Sequence, residues 1–314
     1  MTIIIFLVLA FFIVFLSIKL SMYADIIDKK TNLGGFLIGG LILAAITSFP
    51  ELVTCLSAIA IGNPNLAIGD ILGSNIFNLL IIAFFDVYFF RLKIFRKISK
   101  NYIKLVMLIT MLYIVLWFAF KDLWFNPSIV SFFILVSYII FVVLLSKIKT
   151  PDKEMEIESN VKNITLKFIL AAVSMILLSI AITMQADAIG RANPAFSSST
   201  VGAFLLGVTT SLPEVVTCYA LIKIGSYNLA LANIIGSNAF NFMILGICDF
   251  FVKGQNLYSF REVDSFTFLF FGFLMHAVLI LSLLRSKKFP NALYTVPSGV
   301  ILFIYFYIFY LQFF

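Results

Sequence analysis

The sequence predicts an all-α, polytopic membrane protein with ten transmembrane helices arranged as two inverted five-helix repeats. Three observations predict it. Apolar runs of membrane-crossing length follow one another along the chain. Basic residues gather in alternate connectors. A block from the first half recurs, ungapped, in the second.

Of 314 residues, 62% are hydrophobic and only 12% charged, whereas a soluble domain carries about 25% charged residues. The runs cover 2–20, 36–62, 66–88, 102–120, 127–146, 165–186, 200–224, 228–252, 263–284 and 293–313. A helix needs about 20 apolar residues to cross a bilayer. A buried soluble core explains one such run, not ten in series. Met1–Ala10 has no basic region ahead of its apolar run, so the first span reads as a membrane helix rather than a cleaved signal.

The net charge of +7 does not point to nucleic acid, because its distribution follows the membrane. Lys19, Lys29, Lys30, the cluster from Arg91 to Lys104, Lys147–Lys167, Lys223, Arg285, Lys287 and Lys288 lie in connectors on one side. They make 18 of the 22 basic residues, leaving Lys121, Arg191, Lys253 and Arg261 on the other. The basic side is expected to be cytoplasmic, with both termini extracellular in the cell membrane. Cys55, Cys218 and Cys248 fall inside spans. They show no metal-type spacing and read as packing residues.

Residues 47–86 align with 210–249 at a constant offset of 163, with 21 of 40 positions identical. The first copy reads TSFPELVTC and then GNPNLAIGDILGSNIFN; the second reads TSLPEVVTC and then GSYNLALANIIGSNAFN. Five spans per half is an odd number, so the second half enters the membrane from the opposite side. Such inverted repeats are a transporter architecture, with the ion site at their interface. The expected organisation is a first repeat over 1–146, a charged cytoplasmic linker over 147–164 and a second repeat over 165–314.

Glu51 and Glu214 sit inside apolar spans, and no lysine or arginine sits at comparable depth. An intramembrane carboxylate is costly and points to function. Two acids without a protein cation imply an external cation or protons; a pair of protonated glutamates joining helices is the structural alternative. Each acid follows a proline. Pro50 and Pro213 lack an N–H, which frees carbonyls near Thr47 and Thr210, and such backbone is tolerated where it lines a cavity.

On the next helix Asp70, Ser74 and Asn78 form one stripe, repeated by Asn233, Ser237 and Asn241. The stripes supply oxygen ligands, or polar glue between helices. Calcium takes six to eight hard oxygens of this kind. His276 lies outside the repeat block and reads as structural. Asp86 and Asp249 are a further repeat pair near opposite span ends. They are expected either to attract cations to the mouths or to pair with Arg91 and Lys253. One histidine and no legible nucleophile–base pair argue against an enzyme, and no cofactor is implied.

TSFPE and TSLPE, each followed by G-S-N-x-F-N, resemble the two alpha-repeats of the cation/calcium antiporter superfamily, most closely its compact prokaryotic sodium/calcium exchangers. The resemblance implies exchange of calcium for sodium by alternating access at one central site, with the first and sixth spans sliding over the rest. It implies cation ligands at Thr47, Ser48, Glu51, Ser74, Asn78, Thr210, Ser211, Glu214, Ser237 and Asn241. The family's usual glycine before the Thr-Ser pair is replaced by Ile46 and Thr209, and Asn241 stands where some sodium-coupled members carry aspartate. Calcium/proton exchange is therefore the alternative, and a cation channel a more distant one. The partners implied are calcium, a monovalent cation and the lipid bilayer, with no obligate protein partner.

Overall fold

Long runs of Leu, Ile, Val and Phe leave the backbone one way to satisfy its polar groups in hydrocarbon, the α-helix. The computed structural model describes residues 2–31, 44–121, 127–148, 163–260, 262–285 and 290–314, and the regular structure among them is helical. The helices are α1 (Thr2–Thr31), α2 (Phe49–Ala60), α3 (Pro64–Tyr88), α4 (Tyr102–Phe120), α5 (Pro127–Ser146) and α6 (Ile164–Ala192) in the first part of the chain. They continue with α7 (Ser198–Thr210), α8 (Leu212–Lys223), α9 (Tyr227–Asp249), α10 (Val263–Leu284) and α11 (Val296–Phe313).

Eight of these are long and apolar enough to cross a membrane, and α7 with α8, bent by 42° at Ser211, makes a ninth. The run expected over 36–62 is described only from residue 44: a helical turn over 44–47, a break at Ser48, then α2. The expected tenth span therefore rests in part on residues outside those described, as does most of the linker expected over 147–164. Helices α1 and α6 continue well past the ends expected at 20 and 186, since a helix need not stop where hydrocarbon ends.

Helices α3 and α9 form the middle of the bundle and pack against each other. Around them, α3 meets α2, α7, α10 and α11, while α9 meets α5 and α8. Helices α1 and α6 pack mainly on each other at the periphery. They expose Ile4, Leu7, Phe11, Leu166, Leu170 and Leu177, an apolar surface suited to lipid.

The close approach of α3 to α7 depends on small residues. A Cβ on Gly73 would lie 2.3 Å from Ala203 Cα, and one on Gly207 2.7 Å from Ser74 N. Helices in lipid associate through such backbone approach. Cys55 and Cys248 lie with their sulfurs 2.9 Å apart between α2 and α9, and all three cysteines are free and buried.

The connectors sort into two groups. At one end Lys93 and Arg96 donate to Asn291 Oδ1, and Ser99 N donates to Asn228 Oδ1. At the other, Asn63 Nδ2 donates to Asp187 Oδ1, and Ser199 N donates to Glu262 Oε2. Segments expected on the same membrane side thus meet in space.

Candidate cation site

The site begins at two breaks. The carbonyls of Ile46 and Thr209 face Pro50 and Pro213, which have no N–H to offer them. Each helix restarts with a glutamate in its first turn, Glu51 in α2 and Glu214 in α8. A helix N-terminus carries unpaired N–H groups and partial positive charge, which favours a carboxylate there. Both side chains are fully buried.

Ser48 and Ser211 hold the N-cap positions of these half-helices but make no side-chain cap. Their hydroxyls cross to the other half instead. Ser48 Oγ donates to Glu214 Oε1 at 3.4 Å, and Ser211 Oγ donates to Glu51 Oε1 at 3.2 Å. The two bonds are the same bond with the offset of 163 applied in opposite directions. The next layer behaves alike. Asn78 Nδ2 donates to Asn238 Oδ1 at 2.9 Å, and Asn241 Nδ2 donates to Asn75 Oδ1 at 3.0 Å.

These bonds leave a paired set of oxygens without a partner: Glu51 Oε2 and Glu214 Oε2, Asn78 Oδ1 and Asn241 Oδ1. A buried polar atom without a partner is expensive. Four such atoms, all acceptors and in equivalent pairs, could be met by a cation or by protons. Among the described residues no lysine or arginine forms an ion pair with either glutamate.

The remaining expected ligands lie on the same breaks and helices, all buried. Ser237 Oγ donates to Glu214 Oε1 at 3.1 Å, whereas Ser74 Oγ donates to Gly207 O at 3.2 Å. Thr47 Oγ1 and Thr210 Oγ1 donate to carbonyls of their own helices, Ala44 O at 3.1 Å and Leu206 O at 2.9 Å. Ser74 and Ser237 therefore break the pairing that the glutamates and asparagines keep.

The strongest asymmetry is Asp70, whose counterpart is Asn233. Asp70 is buried close to Glu51, takes a 2.5 Å hydrogen bond from Thr54 Oγ1 on Oδ2, and has Thr210 near its carboxyl group as well. The spacing of Asp70 on the Ser74–Asn78 stripe was the available signal for it.

The chain matches the profile of the sodium/calcium exchanger protein family over residues 1–147 and 164–314. It belongs to that family. Among curated relatives, the inner membrane protein YrbG of Escherichia coli is 27% identical over 256 residues, covering 77% of this chain and 78% of its own. The putative antiporter CaxA of Alkalimonas amylolytica is 26% identical over 233 residues, covering 71% and 72%. Among solved structures, the H+/Ca2+ exchanger CAX superposes with a TM-score of 0.68 at 13% identity, covering 99% of this chain and 88% of that one. The sodium-calcium exchanger NCX_Mj superposes at 0.63 and 21% identity, covering 98% and 99%. At those identities the likeness is one of fold.

Two further carboxylates of this exchanger differ from expectation. Asp86 does not turn to Arg91. It accepts from Tyr294 Oη and Ser298 Oγ, both at 2.6 Å, and lies 3.9 Å from Arg285 Nη1. Arg285 is itself buried and stacks on Phe95 and Tyr294. Asp249 accepts from Ser131 Oγ at 2.6 Å and Leu257 N at 2.7 Å. Both acids tie span ends together. Asn75, Asn238 and His276 were not expected near the site. The two asparagines were legible as identities within the repeat; His276 was not.

Proposed function

We propose that this exchanger carries calcium across the membrane in antiport with sodium, by alternating access at a midplane site built on Glu51 and Glu214. The observation that carries the reading is the set of four buried, unpartnered oxygens in two equivalent pairs. With freed carbonyls and the hydroxyls of Thr47, Ser48, Ser74, Thr210, Ser211 and Ser237, they offer the oxygen-only environment that calcium takes. The reciprocal bonds are what a two-fold relation between halves produces. They support two inverted five-span repeats over 1–146 and 165–314, joined by a linker over 147–164. The family, the putative antiporter CaxA and the fold shared with the exchangers CAX and NCX_Mj support the antiport class.

Calcium-45 uptake into proteoliposomes under imposed gradients tests the coupling. An outward sodium gradient is expected to drive uptake, with a pH gradient having little effect. Flux indifferent to sodium and abolished by a protonophore would transfer the assignment to calcium/proton exchange. One observation keeps that second reading open. Asp70 adds a third buried acid beside Glu51, and three carboxylates exceed the charge of one calcium, so the surplus needs a proton or a monovalent cation. Asn241→Asp raises the demand again. It is expected to change the sodium or proton dependence of uptake; an unaltered dependence would remove Asn241 from the ion path.

The 18:4 division of basic residues supports both termini outside and 147–162 inside. On a cysteine-free background, a cysteine at position 2 is expected to react with an impermeant maleimide in intact cells. One at position 155 is expected not to react until the cells are opened. Labelling of position 155 from outside would overturn this topology.

A further inference from the structure

A carboxamide shows a cation either an oxygen or an N–H face, and nothing in its shape decides which. Asn78 and Asn241 keep their oxygens free because each commits its nitrogen to a second asparagine, Asn238 or Asn75. Those asparagines have the same choice to make, so something behind them must decide it.

Behind Asn238 stands His276, fully buried on α10. Its Nδ1 lies 2.8 Å from the carbonyl of Gly272, which can only accept, so Nδ1 carries the hydrogen. In the neutral ring Nε2 is then an acceptor. It lies 3.2 Å from Asn238 Nδ2, whose other hydrogen goes to Asn75 O at 3.1 Å. With both nitrogens' roles fixed, Asn238 Oδ1 has one orientation left, toward Asn78 Nδ2. The chain from Gly272 O to Asn78 Oδ1 runs in a single sense, each link an acceptor meeting a donor.

The other half has a counterpart. Subtracting 163 from 276 gives Tyr113 on α4, in ring contact with His276 at 5.0 Å. Its hydroxyl lies near Asn75, and Tyr113 Oη and Asn75 Nδ2 are otherwise both unpartnered. A phenol oxygen can accept there as the imidazole Nε2 does on the other side. Gly272 permits the approach, since a Cβ at that position would lie 2.4 Å from the Tyr113 ring.

We infer that His276 and Tyr113 are positioning residues, which fix the carboxamides of Asn238 and Asn75 and so hold Asn78 and Asn241 with their oxygens free for the transported cation. This rests on the reading of Asn78 and Asn241 as cation ligands. Both act through the asparagines and are not themselves among the expected ligands. Groups that orient the ligands of a metal typically change its affinity by about 10- to 100-fold when lost.

The test measures calcium KM and maximal uptake for the full-length protein in proteoliposomes. His276→Leu removes the acceptor and is expected to raise KM about tenfold, with the effect falling on KM rather than on maximal flux. His276→Gln offers an acceptor again and is expected to return KM close to wild type. Asn238→Leu alone should raise KM, and adding His276→Leu to it should cost nothing more, because the two act through one chain. Tyr113→Phe removes one oxygen without changing packing volume. It should also raise KM, and it keeps the inference testable should the histidine variants fail to fold. Wild-type KM in Tyr113→Phe and in a folded His276→Leu, or full additivity with Asn238→Leu, would overturn the inference. Absence of calcium uptake by the wild type would instead sink the transport reading.

Discussion

Glu51→Gln and Glu214→Gln are each expected to abolish calcium uptake while leaving the protein folded and inserted. Glutamine keeps the size of the side chain and a carbonyl oxygen, so Ser211 and Ser48 retain their acceptors. What disappears is one of two negative charges facing a desolvated divalent ion. Removing one partner of a buried charge pair costs about 2–5 kcal/mol, and each 1.4 kcal/mol is about tenfold in affinity. Uptake at low calcium should therefore fall by roughly two orders of magnitude or more. Size-exclusion behaviour and thermal stability in detergent should stay near wild type, because an amide at either position no longer demands a counter-ion. Near-normal uptake by either folded variant would remove that glutamate from the site.

Asp86→Ala is expected to act on stability rather than on the ion. Arg285 is 6% exposed and has Asp86 as its acid. Truncating the acid leaves a buried guanidinium unbalanced and removes the acceptor of two 2.6 Å hydrogen bonds. Breaking a buried pair in this way typically costs about 3–5 kcal/mol. Thermal unfolding in detergent should move markedly lower, and Asp86→Asn, which keeps an acceptor for Tyr294 or Ser298, should lose less. Calcium KM of the surviving folded protein should stay near wild type. A wild-type unfolding temperature with a raised KM would restore Asp86 to the role of a cation-attracting charge at the mouth.

Asp86 also marks where reading the sequence stops short. Nearness along the chain points to Arg91 as its basic partner. The true partner lies beyond α10, and only the meeting of the connectors around Phe95, Arg285 and Tyr294 brings it close. Pairing across such distances leaves no local periodicity to read. The helices were legible because run length and charge distribution are properties of the chain alone. The breaks were legible because a proline without an N–H has one consequence wherever it stands. Glu51, Glu214, Asn78 and Asn241 were legible through repetition: a polar residue kept twice in an apolar span is not there by composition.

His276 and Tyr113 were hidden because they share position and not identity. One is an imidazole and the other a phenol, so the offset that relates them shows in no alignment of letters. The lone nitrogen of one and the hydroxyl of the other can play the same acceptor role, and that equivalence is visible only once Asn75 and Asn238 lie between them and the site. Asp70 was visible as a break in symmetry, but its closeness to Glu51 depends on how α3 packs against α2.

The central claim is that a calcium ion sits among the oxygens of Glu51, Glu214, Asn78 and Asn241. Crystals of the exchanger soaked with a heavier alkaline-earth analogue of calcium test it directly through anomalous scattering. The account predicts a peak between the two glutamates, within coordination distance of both carboxylates and lost in Glu51→Gln. A divalent peak elsewhere in the bundle, with none between Glu51 and Glu214, would contradict it.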